Sequence, residues 1–374
     1  MKILLTEYTG LGNSILSSPV ITRIKEISPD TKIDIVGDNR FHGLDFHQKS
    51  KKIEKIINFK KLNIINKIKF CFEIFNKKYA ALIILPASSP SILFLLLVHL
   101  FGRMEIIHIS AFGSKSNFFK TLLFLIVLKY RCILFTKKNI FIDDLSAQHH
   151  EVTHNLFMLR PLFKGIEKCD IKKYRPSFNY IPNDYEILKN HELTKYNYII
   201  IQPYCSSGRK SAKNWSEEKF KKLIEFYEAD KIKIVLIGDV KEKFLISDNF
   251  LSAFSNLANL AGKTNFFDLC DLLYFSKGVI THESGIMHLS DSMNLKNISI
   301  WGLSNPKQVV PFGSNSKVVS KNVSCSPCVK NYFVNDGGGL FSSEEEAYNK
   351  CPNKFKCMTS ISAEEVYLFS KSFF

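Results

Sequence analysis

The sequence lacks the features that would make it a spanning membrane protein or a secreted disulfide scaffold. It has no run of 18 apolar residues, and its two most apolar stretches, 92–101 and 122–128, are short and flanked by Arg103, Lys120 and Lys129. No membrane-crossing helix is therefore expected. The opening Met1-Lys2-Ile3-Leu4-Leu5-Thr6-Glu7 holds too short an apolar run for a secretory signal and reads as a first β-strand. The nine cysteines are an odd number, and Cys71, Cys132, Cys169, Cys205 and Cys270 are scattered, so a reducing cytoplasm is the expected compartment. Acid is in short supply: Lys and Arg total 51 against 35 Asp and Glu, a formal charge of +16. Such a balance suits nucleic acid, phosphorylated small molecules or an acidic membrane surface, or else reflects charge spread over solvated faces. No nucleic-acid-binding module is recognisable, so nucleic acid is not expected as a partner.

What is present is a soluble globular composition, 45% hydrophobic and 23% charged over 374 residues, long enough for two domains. Residues 2–6 read as a buried strand, Gly10-Leu11-Gly12-Asn13 as a glycine turn with Asn13 as helix N-cap, and Ile15 to Ile27 as a helix. Residues 32–37 form the next strand, so the chain opens as a βαβ unit with a parallel, Rossmann-like sheet. The glycine pattern is not the dinucleotide fingerprint, because a third glycine is missing and Asp34 lies inside a strand. Lysines 51, 52, 55, 60, 61 and 67 interleave with Ile and Phe in a basic segment. Residues 88–101 and 117–129 read as apolar helices, with Leu93, Phe94, Leu97 and Leu100 as core or as a face lying in a bilayer interface. Proline and polar residues over 170–196 mark a domain boundary. A second α/β unit follows, with strands near 198–202, 232–237 and 298–301 and helices near 216–227, 240–246 and 266–275.

The second unit is organised around Gly278-Val279-Ile280-Thr281-His282-Glu283-Ser284-Gly285-Ile286-Met287-His288. An apolar strand, a Ser-Gly turn and a helix start place free N–H groups and the positive helix end at one point, an arrangement that holds anions. His288, one turn in, could add a donor. Cys325-x2-Cys328 with Cys351 and Cys357 has a zinc-knuckle spacing in its first half and a looser second half.

Several separated segments together resemble the family-9 glycosyltransferases, the heptosyltransferases of lipopolysaccharide core assembly. They are Gly10-Leu11-Gly12-Asn13-Ser14-Ile15-Leu16-Ser17-Ser18-Pro19, His150-Glu151-Val152, Lys213-Asn214-Trp215-Ser216, Leu260-Ala261-Gly262-Lys263-Thr264, Thr281 to His288, and Cys325-Ser326-Pro327-Cys328. The resemblance implies an α/β, GT-B fold of two Rossmann-like domains whose parallel sheets face a central cleft. Residues 1–175 would bind the acceptor and 185–358 the nucleotide-sugar donor, with a closing helix in 359–374 packing back on the first domain. It implies inverting transfer without metal or other cofactor, from an ADP-linked donor to a lipid-linked saccharide, beside an anionic membrane surface on the cytoplasmic side.

For donor binding the resemblance points to Lys213, Ser206, Ser207, Ser284 and Gly285 at phosphate, and to Glu242, with Asp239 as competitor, at the ribose. Glu283 stands where the family has aspartate, and the family's tail cysteines often have no metal role. The acceptor side would be the glycine loop Gly10, Gly12 and Asn13. Asn13 occupies the position of the family's aspartate base, and a neutral amide cannot take a proton. Glu7 is a substitute base. The alternative reading is a non-catalytic sugar-nucleotide or glycolipid binder that lost its base.

Overall fold

The computed structural model describes residues 1–39, 42–76, 79–88, 90, 94, 98, 104–109, 139–142, 146, 148–166, 172–182, 185–205, 211–240, 252–329, 341 and 344–374. The chain divides into two compact units, the first spanning Met1–Pro176 and the second Ser177–Lys330 with Gly338–Phe374.

In the first unit the order is β1 (Lys2–Glu7), α1 (Leu11–Ile27), β2 (Lys32–Gly37), β3 (Lys55–Asn58), α2 (Ile64–Asn76), β4 (Ala81–Ile84), β5 (Glu105–Ile109), β6 (Asn139–Ile142) and α3 (Glu151–Phe157). The strands form one parallel sheet in the order β3-β2-β1-β4-β5-β6. β1 lies between two neighbours and reads as an unbroken apolar run, Ile3-Leu4-Leu5, because both of its faces are covered. Asp34, the polar exception in β2, is fully buried and accepts from the Tyr79 hydroxyl at 2.5 Å and pairs with Lys2 Nζ at 3.1 Å. Gly37 lies opposite Glu7, where any side chain would bring its Cβ to 2.1 Å from the Glu7 carbonyl oxygen. Of the apolar segment 88–101, Phe94 and Val98 are described and sit in the core with Leu4, Phe59 and Phe70. Leu93, Leu97, Leu100 and segment 117–129 lie outside the described residues. Among the described residues no helix is long and apolar enough to cross a membrane.

Helix α1 begins earlier than the sequence pattern implies. Its N-cap is Gly10, with extended backbone at φ −84° and ψ 170°, and Asn13 is its third residue. The Asn13 amide instead donates to Thr9 Oγ1 at 2.9 Å. The glycine needs no side-chain cap, so the helix forms one turn sooner and Asn13 is not the residue that starts it.

In the second unit the order is α4 (Glu186–Asn190), β7 (Tyr198–Ile201), α5 (Glu217–Ala229), β8 (Lys233–Leu236), β9 (Leu257–Asn259), α6 (Phe266–Tyr274), β10 (Gly278–His282), α7 (Gly285–Ser292), β11 (Asn297–Trp301), α8 (Pro306–Val309), β12 (Ser316–Ser320), α9 (Glu344–Lys350), α10 (Lys356–Thr359) and α11 (Ala363–Phe373). The parallel sheet runs β12-β11-β10-β7-β8-β9. Counted within each unit, both sheets have the Rossmann order 3-2-1-4-5-6. Ser216 caps α5 by accepting from the Lys219 N–H, with Glu217 and Glu218 in the first turn. Asn265 and Asp268 form a full capping box on α6.

The closing helix departs from expectation. α11 was expected to return to the first domain, yet Ala363 and Val366 enter the core of the second unit beside Phe220, Leu223, Ile224 and Tyr227 of α5. The Tyr227 and Ser370 hydroxyls bond to each other, and Asp230 accepts from Tyr367 at 2.6 Å and pairs with Lys371 at 3.0 Å. The apolar face of α5 is wide enough that α11 is required to cover it. Ile361, fully buried just before α11, also offers its carbonyl to the Trp215 indole N–H at 3.0 Å. Ile361→Ala is expected to destabilise the chain by about 2–5 kcal/mol, read from urea denaturation. A loss within error of zero would show that the second unit does not rest on this segment.

Candidate functional site

In sheets of this order, ligands bind beyond the carboxyl ends of the two adjacent strands whose connections run in opposite directions. In the second unit those strands are β7 and β10. Gln202 follows β7, and Thr281 and His282 finish β10. Gln202 Oε1 accepts from the Thr281 hydroxyl at 2.7 Å and from the Ser284 hydroxyl at 2.8 Å. Ser284 is the N-cap of α7, but its hydroxyl is turned toward the sheet and makes no cap bond. The first-turn N–H groups of α7 are thereby left unserved by their cap residue, and the positive helix end is presented at the turn.

Lys213 reaches the same turn from the loop before α5, with its Nζ 3.3 Å from Glu283 Oε1 and both side chains largely covered. The loop is held there by His282. Its Nε2 accepts the Trp215 backbone N–H at 2.9 Å, while the Trp215 ring packs edge-on against Phe220. Asn214 Oδ1 accepts the Cys205 N–H at 3.2 Å, and Ser211 Oγ accepts the Lys213 N–H at 3.2 Å. His282 is wholly buried, and burial, with the Lys213 charge adding to it, holds its pKa down at about 3. A ring that accepts at Nε2 carries its proton on Nδ1 and has no room for a second one.

Lys213, Glu283, Ser284, Gly285 and His288 thus gather around the end of β10, with His288 buried one turn into α7. Asp239 is half-buried in the turn after β8, the strand on the other side of β7. That turn is braced by Gly262, whose N–H bonds the Gly238 carbonyl at 2.9 Å. Gly262 has φ +68°, and a Cβ there would come 2.9 Å from Val240 Cα. Ser206, Ser207 and Glu242 lie outside the described residues. The sequence reading missed Gln202 and Thr281, and it placed His282 in a polar turn rather than at the buried end of the strand. The available signal was the in-out alternation of β10, which His282 continues.

In the first unit the corresponding point lies between β1 and β4, where the Tyr8 N–H bonds Ser88 Oγ at 3.1 Å. Gly10, Gly12 and Asn13 lie at this end of β1, with Gly12 and Asn13 half-buried. Glu7 does not serve as expected. It is 1% exposed, its two carboxylate oxygens accept the Ser14 and Ser17 hydroxyls at 2.9 and 2.5 Å, and His47 Nε2 lies 3.6 Å away. A general base must reach the proton it takes. Glu7 is instead the link that fastens α1 to the end of β1.

The tail cysteines do meet. Cys325, Cys328, Cys351 and Cys357 line one apolar recess with Ala212 and Leu303. The Asn353 amide donates to Cys325 Sγ and the Phe355 N–H to Cys351 Sγ, each at 3.2 Å. Burial pushes the Cys328 thiol up to about 11 and raises that of Cys357. Among the described residues, no three Cys, His, Asp or Glu side chains are gathered as a metal centre.

The state of His282 has a measurable consequence. In the unfolded chain this imidazole takes a proton near 6.5, in the folded chain only near 3. Between those values the unfolded state binds more protons, so stability falls as pH drops through this window. His282→Gln keeps an acceptor for the Trp215 N–H and removes the titration. Urea denaturation across this pH range should give the variant a flatter acid limb; an unchanged limb would show that His282 is protonated in the folded protein.

Residues 133–336, more than half of the chain, match the sequence profile of glycosyltransferase family 9 (heptosyltransferase). A lipooligosaccharide heptosyltransferase 2 of Campylobacter jejuni is 25% identical over 372 residues, covering 98% of this chain and 96% of the relative. Among solved structures, the Escherichia coli ADP-heptose lps heptosyltransferase II aligns with a TM-score of 0.69 at 15% identity, covering 100% of this chain and 98% of that one. An E. coli heptosyltransferase solved with ADP aligns at 0.62 and 16% identity, covering 100% of this chain and 99% of the other. These likenesses give the fold as GT-B, in keeping with the two Rossmann-ordered sheets. By sequence the chain belongs to glycosyltransferase family 9 (heptosyltransferase).

Proposed function

We propose that this glycosyltransferase moves a heptose from an ADP-linked donor to a lipid-linked saccharide of the lipopolysaccharide type, on the cytoplasmic side of the membrane. The observation that carries the reading is the convergence of the Lys213 ammonium, the Ser284 turn and the start of α7 at the β7–β10 switch point. A diphosphate seated there would take charge-assisted bonds from Lys213 and N–H groups of α7, displacing Glu283 from the lysine. The nature of the sugar and acceptor is supported by the names of the Campylobacter and E. coli relatives.

The reaction is a single displacement with inversion. An acceptor hydroxyl oxygen bonds to the anomeric carbon as the bond to the diphosphate oxygen breaks, and the electron pair leaves with ADP. Lys213 and the α7 N–H groups stabilise the charge growing on that oxygen, so this chain's own cations and dipoles do the work and no metal is assigned. Asp239 lies at the strand end where a ribose would fall, with Glu242 following in sequence. The acceptor proton has no carboxylate at Asn13 to receive it, and with Glu7 buried it passes to solvent.

Two measurements test this. Thermal shift against ADP-, UDP- and GDP-linked sugars should move the midpoint most with the ADP-linked compounds, since a ligand at a hundredfold excess over Kd adds about 2.7 kcal/mol. A preference for UDP- or GDP-sugars would overturn the donor assignment. Asn13→Asp keeps the contact with Thr9, whose hydroxyl turns from acceptor to donor. The variant should raise the transfer rate toward the roughly 10²–10⁴-fold that a positioned base supplies. Tight donor binding with no transfer by either form would favour the alternative, a donor-binding homologue without activity.

A further inference from the structure

The described part of the first unit covers its large apolar side chains with one concentrated exception. Helix α2 turns Phe70 and Ile74 inward, 4% and 2% exposed, to pack with Phe59, Leu4 and Phe94. On its other side Ile64, Ile65, Ile68 and Phe72 stand 61%, 61%, 46% and 53% exposed. Residues 64, 68 and 72 are four apart and fall in one stripe along the helix, with 65 beside it. Four large apolar groups in a row on the surface call for a partner.

The charge around the stripe is of one sign. From Lys55 to Phe72 the sequence holds Lys55, Lys60, Lys61, Lys67 and Lys69 and neither Asp nor Glu. Lys60 and Lys61 are exposed in the turn that leads into α2, and Lys69 is exposed next to the stripe. Lys67 lies over the Phe59 ring at 5.5 Å. Glu73, the one acid on the helix, is paired with Lys55 at 3.0 Å. A second copy of the chain meeting this face across a two-fold axis would bring lysine against lysine. At 13 residues, about 20 Å, the helix is too short to span a bilayer but suited to lie along one.

We infer that this face of α2 seats on an anionic lipid surface, with Ile64, Ile65, Ile68 and Phe72 in the headgroup–acyl boundary and Lys60, Lys61 and Lys69 on lipid phosphates. The inference stands on the helix and its lysines and is independent of the donor and acceptor assignments.

The test is sedimentation of the full chain with phosphatidylcholine vesicles, with and without phosphatidylglycerol. Binding should require phosphatidylglycerol and weaken with added salt. Ile68→Glu with Phe72→Glu should lower binding at least about tenfold, and Lys60→Gln and Lys61→Gln about fivefold each. All four positions are exposed, so an unchanged thermal midpoint and donor-induced shift will show that the variants fold. Wild-type binding indifferent to phosphatidylglycerol, or variants that bind as tightly as wild type, would overturn the inference. A concentration-dependent dimer abolished by the same double variant would overturn it too, by assigning the face to a second copy.

Discussion

The second unit depends on one hydrogen bond, from the Trp215 backbone N–H to a buried, neutral His282. It joins two segments 67 residues apart and sets the loop carrying Lys213 against the end of β10. Without it the lysine would hang from a flexible loop, and the turn at Ser284 would face solvent alone. Trp215 is held from its other side by the Ile361 carbonyl and by Phe220, so the same residue ties the site to α5 and to the segment before α11. Core and site are therefore one construction: packing that buries the indole also places the cation.

The first unit uses a different device for the same purpose. Glu7 at the end of β1 is enclosed by the two serine hydroxyls of α1, with His47 close by. A buried carboxylate is costly unless its lone pairs are taken, and here they are. The glycine loop thus leaves the strand at a fixed angle, and Asn13 is delivered to the sheet's switch point by backbone geometry and not by its own capping. Gly37 completes the arrangement, because only its missing side chain lets β2 pass so close to Glu7.

Much of this was readable in the sequence, for identifiable reasons. The strand, turn and helix of 278–292 announce themselves because β10 is apolar throughout and Ser-Gly punctuates it. The βαβ opening is legible for the same reason, and Ser216 marks its helix start by type alone. Side-chain direction is not legible. Glu7 looks like an available carboxylate until α1 folds over it, and Asn13 looks like a cap until Gly10 takes that place. The docking of α11 depends on how wide an apolar face α5 exposes, which a sequence pattern shows for each helix but not for the pair. β9 and β12 are too short, and too broken by Asn, Ser and Lys, to stand out from loop.

The shared strand order also governs how the chain emerges during synthesis. In each unit the first strand made, β1 or β7, is one of the two that end in the middle of the sheet. Ile3-Leu4-Leu5 gains β2 on one edge soon after translation, but its other edge waits for β4. Tyr198-Ile199-Ile200-Ile201 waits likewise for β10, far downstream. Each half therefore spends part of its time on the ribosome as a growing sheet with an open, apolar edge at its centre. All pairing of the first sheet lies within β1 to β6, so that half can close before β7 is made. Two open edges then never coexist on one nascent chain.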